Sequence, residues 1–362
     1  MNVGSETIER FGVLCSMAQK LLTVVITAYN QEEYIEECIR TVASQTYKDL
    51  DIVIVDDGSI DGTGSISDKW AEGDTRIRVI HKINGGSVSA RKCGISEARG
   101  EYIAYIDGDD WLEPDHYEKV MNCIDDADIY AFSLTCVYDN NEREIISNYA
   151  QNGLYTGEQL DELKNIALYP GVLGQFGLFP SMCAKVFRTD LIRNNMLAVN
   201  DNIRMGDDGA CTYPSVCDAR KIIVNNEIAG YMYRKNISGT LTSSYSFIEF
   251  ERIENLYHVL SDAFMTREAE FMMEQMTYYL AFLFRLEMVN ELANPYIGNI
   301  CVKVKHLKQI HSYDWVQYLE KNADTSKLDG EGKILLENIN SCWKTFYNWY
   351  VKRKLFNNIN RI

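Results

Sequence analysis

The run Leu22-Thr23-Val24-Val25-Ile26-Thr27 is short, apolar and β-branched, and it reads as a buried strand. Strand and helix signals alternate from there on. Asn30 suits the cap of a helix, Glu32 and Glu33 its first turn, and Tyr34, Ile35, Cys38, Ile39 and Val42 its apolar face. Asp51 to Val55 reads as a second strand, ended by the turn Asp56-Asp57-Gly58-Ser59, with a helix around Gly64 to Trp70. Arg76 to Ile80 reads as a third strand, Ser87 to Arg99 as a helix, and Tyr102 to Ile106 as a fourth strand ending at Asp107. Pro114 suits the first turn of another helix. Buried strands alternating with helices imply an α/β fold, a mostly parallel sheet with helices on both faces.

Further along, Ile129 to Val137 reads as one strand and Lys221 to Val224 as another. From about 247 the pattern turns helical and aromatic, with Phe250, Ile253, Tyr257 and Leu260 at helical spacing. This gives an extension over 1–20, an α/β domain over 21–243 and a helical C-terminal region over 244–362. The Ser/Thr-rich stretch Ser238 to Ser246 marks the last boundary.

Composition narrows the function. A hydrophobic share of 46% and a charged share of 24% are those of an ordinary globular protein. The net charge of -16 argues against a broad nucleic-acid surface. It does not exclude a nucleotide, because a divalent cation can neutralise a diphosphate locally. The ten Cys are scattered without a Cys-x-x-Cys pair, so reduced thiols fit better than zinc or disulfides. The longest apolar stretch, Val13 to Ile26, is broken by Gln19 and Lys20, and the polar, acidic start has no secretory h-region. The expected location is therefore the cytoplasm. The tail Trp343 to Ile362 is basic and aromatic. It reads either as a peripheral contact with an anionic membrane or as a helix packed on its own domain.

In a parallel sheet of this kind, ligands sit at the carboxyl ends of the strands. Thr27 to Asn30, Asp56 to Ser59 and Asp107 to Asp110 all fall there. The carboxylates of Asp107-Gly108-Asp109-Asp110 repel one another unless a cation or hydrogen bonds compensate. Magnesium and manganese take hard oxygen ligands of this type. The same stretch also reads as an acidic turn capping the helix near Pro114, and Asp110 in particular as a cap. Asp56-Asp57-Gly58-Ser59 has the composition of a turn, though a carboxylate there can accept a hydrogen bond from a base or ribose. Gly206-Asp207-Asp208 is either a surface turn or the source of a general base. Tyr231-Met232-Tyr233-Arg234-Lys235 reads equally as a phosphate- and sugar-contacting segment or as an edge strand with a solvated basic end.

In this order the pieces resemble the inverting family-two glycosyltransferases with the GT-A (Rossmann-like) fold, of the bacterial polysaccharide-building type. The resemblance is carried by Val25 to Asn30, Ser44 to Tyr47, Val55 to Thr63, Gly85 to Arg91, and Gly100 to Ile103 leading to Asp107-Gly108-Asp109-Asp110. Ala184 to Arg188, Gly206-Asp207-Asp208 and Tyr231 to Arg234 continue it. It implies a UDP-sugar donor bound through Thr27, Tyr29, Asp57, Arg91 and Asp107, a Mn2+ or Mg2+ ion on Asp109, and Asp208 as catalytic base. It also implies a glycan or lipid-linked acceptor. The chain departs from the family where Asp207 stands for Glu, Lys92 for Asn and Cys183 for Trp. The last change falls in the region assigned to the acceptor. Two other readings stay open, a nucleotidyltransferase, which would release pyrophosphate, and a catalytically silent nucleotide-sugar-binding partner.

Overall fold

A computed structural model describes residues 20–203, 206–235, 249–293, 310–328 and 333. The expected extension, the Ser/Thr-rich boundary and the basic aromatic tail lie outside these residues, apart from Lys20.

β1 (Leu22–Ala28) is buried almost throughout and sits between β2 (Leu50–Asp56) and β4 (Tyr102–Asp107), with β3 (Ile77–His81) beyond β2. All four run parallel, as expected of runs buried on both faces. The connections are α1 (Ile35–Ala43), α2 (Thr63–Gly73) and α3 (Ser87–Glu97). The register decides where the acidic motifs meet. Thr27 pairs with Asp107 on one side of β1, and Ala28 with Asp56 on the other, so the strand ends finish at one level.

The first helix starts later than the sequence suggests. Asn30 adopts a left-handed conformation (φ 52°), and α1 begins only at Ile35. Asn30 instead ties two turns together: its N–H donates to Ser59 Oγ at 2.9 Å, and its Oδ1 accepts from Ile60 N–H at 2.9 Å. Asn tolerates this backbone region because its short polar side chain bonds locally.

Beyond β4 the sheet becomes mixed, continuing through β10 (Lys185–Arg188), β6 (Ile129–Phe132), β11 (Ile222–Asn225) and β9 (Gly153–Tyr155). A second sheet has the order β5 (Trp111–Leu112), β12 (Tyr231–Arg234), β7 (Leu134–Val137), β8 (Arg143–Ile146). The single strand expected over Ile129 to Val137 is thus two strands in two sheets. Ser133 makes the break: its N–H donates to Ile228 O at 2.9 Å, and its hydroxyl meets Asn226 O at 3.0 Å. The segments after β4, β6 and β11 all cross to the second sheet in the same way. Tyr231 to Lys235, one alternative for which was an edge strand, lies inside that sheet, between β5 and β7.

Helices α4 (His116–Met121), α5 (Gly157–Lys164), α6 (Thr189–Ala198) and α7 (Asp207–Asp218) complete the α/β part. Pro114 precedes the first of these helices, whose cap is Asp115. The expected C-terminal helices are α8 (Glu249–Thr266), α9 (Glu270–Ala293) and α10 (Asp314–Asn322). Ile253, Leu256, Leu260, Phe264 and Trp315 form their buried apolar face. Glu254 caps α10 by accepting Asp314 N–H at 3.0 Å and Trp315 N–H at 3.1 Å. None of the described helices is long and apolar enough to cross a membrane.

Helix α3 sits hard against β1 at Gly94, where a Cβ would come within 2.3 Å of Val25 Cγ1. Val25 is fully buried and stiff at χ1, so it cannot yield. Gly94→Ala should therefore lower stability by about 1–3 kcal/mol through overpacking. That outweighs the gain of about 1 kcal/mol in helix propensity. A urea midpoint measures the loss, and adding Val25→Ala should recover part of it.

Candidate active site

The turn after β2 is held by its own carboxylates. Asp56 accepts Ser59 N–H at 2.9 Å and faces His81 Nδ1 at 2.8 Å. Asp57 turns to the loop before α3, accepting Gly86 N–H at 2.7 Å, Gly85 N–H at 3.0 Å and the Lys82 ammonium. Gly58 lets these two strand ends meet: it has φ 79°, and a Cβ would stand 2.7 Å from Asn84 N. Asp57 is thereby buried, whereas Tyr29 at the end of β1 is 48% exposed.

Arg91 is 4% exposed and points from α3 to three carboxylates. Its Nη1 donates to Asp207 Oδ2 at 2.7 Å and lies 2.9 Å from Asp208 Oδ1, while Nη2 reaches Asp107 Oδ1 at 3.4 Å. Ser87, at the start of the same helix, donates to Asp207 Oδ2 at 2.8 Å. Thr27 Oγ1 donates to Asp107 Oδ1 at 3.2 Å. Thr27 and Asp107 meet as the strand-end rule anticipates, and Arg91 from α3 and Asp207 and Asp208 from α7 join them there.

Asp208 opens α7, after Gly206 in a left-handed conformation (φ 70°). A Cβ on Gly206 would lie 2.5 Å from Leu256 Cδ2, so α8 backs this turn directly. Burial pushes the Asp208 carboxyl up to about 6; Arg91 acts in the opposite direction, and Asp207 adds to the rise. Its Oδ1 is buried against Arg91 at ion-pair distance. The side chain as a whole is 29% exposed, so an incoming hydroxyl can reach the carboxylate.

Asp110 is not a helix cap. It is 1% exposed, and it accepts the Tyr231 hydroxyl at 2.6 Å and Arg234 N–H at 2.8 Å. The Arg234 side chain completes the clamp. Its Nε donates to Asp109 O at 2.9 Å, its Nη2 to Glu37 Oε2 at 2.8 Å, and its guanidinium lies over Tyr34 and Trp111 at 4.8 and 4.4 Å. The guanidinium is thus committed to the acidic loop and its neighbours, and serves neither as a solvated end nor as a free phosphate contact.

With Asp110 engaged, Asp107 and Asp109 are the carboxylates of this loop left for a ligand. Burial, and then Asp107, push the Asp109 carboxyl up to about 6. Two hard oxygen donors, one destabilised by the other, fit a divalent cation that completes its shell with phosphate oxygens and water.

Several residues that the sequence offers only as parts of longer segments take definite places in the structure. Lys185 is fully buried on β10; its ammonium donates to Ser181 O at 2.8 Å and to Phe179 O. Burial brings its pKa down to about 7. It fixes the segment whose Met182 backbone supports Asp208. Cys183, where the related pattern has Trp, places Sγ 3.9 Å from Asp107 Oδ2. Only the alternation of a strand through Tyr231 and Tyr233 hints that both rings face the acidic loop.

Removing Arg91 leaves three part-buried carboxylates facing one another without a counter-charge. Arg91→Met is expected to cost about 1–3 kcal/mol by chemical denaturation. Tyr231→Phe, which takes a donor from buried Asp110, should cost about 1–3 kcal/mol.

Comparisons with known proteins bear on the family pattern and the fold. The sequence profile of the family "Glycosyl transferase family 2" matches residues 23–188. EpsH of Bacillus subtilis strain 168 is 35% identical over 136 residues, 37% of this chain and 40% of EpsH. EpsJ of the same organism is 27% identical over 239 residues, 66% of this chain and 67% of EpsJ. Both are named as glycosyltransferases, and this chain thus spans well under half of the first relative and about two thirds of the second. Among solved structures, S. aureus TarS 1-349 in complex with UDP-GlcNAc superposes with a TM-score of 0.69 at 19% identity, covering 93% of this chain and 92% of that one. The mixed α/β sheet with its helices is therefore the GT-A fold, and residues 23–188 carry the sequence pattern of glycosyl transferase family 2.

Proposed function

We propose that this protein transfers a sugar from a UDP-sugar to a hydroxyl of a glycan or lipid-linked acceptor, with inversion, in the building of cell-surface polysaccharide. The observation that carries the reading is Asp208: a part-buried carboxylate, its side chain 29% exposed, in the same Arg91-centred cluster as the Asp107 loop. The fold shared with TarS, which binds UDP-GlcNAc in its structure, supports the choice of donor.

In this reading Thr27, Tyr29, Asp57 and Asp107 bind the nucleoside, with the exposed Tyr29 ring available to the base. Asp109, with Asp107 beside it, holds Mn2+ or Mg2+, and the ion supplies neutralisation of charge growing on the diphosphate. Asp208 takes the proton of the acceptor hydroxyl as that oxygen bonds to the anomeric carbon. The bond from the anomeric carbon to the β-phosphate oxygen breaks on the opposite side, and UDP leaves. A single displacement inverts the anomeric centre. Arg91 keeps Asp107 and Asp208 in one crevice despite their repulsion. The cytoplasm, where nucleotide sugars are made, is the proposed location. Membrane contact through 343–362 concerns residues outside those described.

Asp208→Asn should lower turnover by about 100-fold or more while UDP-sugar binding, measured by calorimetry, largely survives. Unchanged transfer would overturn the assignment. In the native protein turnover should fall as pH drops through about 6, because protonating Asp208 removes the base. Chelation should abolish transfer, and added Mn2+ or Mg2+ should restore it in the native protein but not in Asp109→Ala.

A further inference from the structure

The second sheet has two faces, and the acidic loop uses one of them. Strand alternation turns Tyr231 and Tyr233 toward that loop and Met232 away from it. Behind Met232 lies a cavity of about 330 Å³, closed by β7, β8, α4 and the turn before β12. It shares β12 with the active site but lies on the opposite side.

His116 lines this cavity and is 1% exposed. Its ring meets Phe132 edge-on at 4.6 Å, and neither ring nitrogen has a hydrogen-bond partner among the described residues. Burial pulls its pKa down to about 3, so the ring is neutral, with one donor and one acceptor. Leaving both unmet costs about 1–3 kcal/mol each, an unusual state for a buried side chain. Of the charged walls, Glu113 and Glu227 stand against Arg143, since Lys119 is paired with Asp115 at 2.9 Å. Met232, Ile228 and Ile145 add an apolar surface. The Arg143 side chain has no ion-pair partner among the described residues.

We propose that this cavity binds an uncharged polyhydroxy molecule of about one sugar ring, at a site separate from the donor crevice. Two carboxylates against one guanidinium disfavour a phosphate or another polyanion. Mixed donors and acceptors beside an apolar wall match a ring with hydroxyls on its rim and C–H groups on its face. The volume is at the low end of ligand pockets, about 300–1,000 Å³, and so suits one ring better than a chain or a lipid. Binding here requires neither Asp208 nor the transfer reaction.

The test is a titration of the full chain followed by the imidazole C–H signals in NMR, with His116→Gln identifying the signal. The probes are glucose and N-acetylglucosamine, with inorganic phosphate as the charged comparison. The expected result is a saturable shift of the His116 signal with at least one of the two sugars, unchanged when UDP is present in excess. It should be lost in Ile145→Trp, which fills the mouth from a residue 60% exposed and so leaves the core intact. Circular dichroism checks that this variant is folded. No saturable shift with either sugar overturns the proposal. So does a shift that UDP abolishes, one that only phosphate produces, or one that survives Ile145→Trp.

Discussion

One buried cation organises this protein. Arg91 is held among Asp107, Asp207 and Asp208, which come from two different parts of the chain. Each carboxylate alone would be costly in that setting, and the guanidinium is what lets them share it. The planar fork matters, since two of its nitrogens serve three acids at once. Arg91 in turn is placed by α3, which can lie so close to β1 because residue 94 has no side chain. A packing constraint in the core thus sets an electrostatic one at the strand ends.

β1, β2 and β4 were legible in the sequence because each is a near-continuous buried run with a turn of Asp, Gly or Asn behind it, whereas edge strand β3 is buried only at Ile77. The alignment of Thr27, Asp56 and Asp107 came from a general rule about strand ends. The second sheet was not legible. Ile129 to Val137 looks like one strand because nothing in its composition marks Ser133, and the bend depends on carbonyls of residues nearly a hundred positions later. The start of α1 was misplaced for a related reason, because Asn30 bonds Ser59 and Ile60 across space and does not cap its own helix.

Within the site, the sequence separated the carboxylates less well than the structure does. Asp107, Asp109 and Asp110 look equivalent as letters. In three dimensions Asp110 is a structural bond to Tyr231 and Arg234, Asp107 is shared with Thr27 and Arg91, and Asp109 stands without a side-chain donor. Asp57, read as a nucleoside contact, also shapes the 82–86 loop through its own hydrogen bonds. Lys185 stood out only as part of Ala184 to Arg188, and its role was not legible because its work is done on backbone carbonyls, which sequence does not display.

The second sheet draws strands from the continuations of three strands of the first, with few residues between: Gly108 to Asp110, Ser133, and Asn226 to Gly230. These connectors act together as a length standard. Because side chains alternate along a strand, deleting Ser133 would turn Leu134 to Val137 over and exchange their inner and outer sets. Natural variation in chain length should therefore collect elsewhere, for instance between β8 and β9. Grafting a loop from one relative to another should succeed there and fail at the connectors.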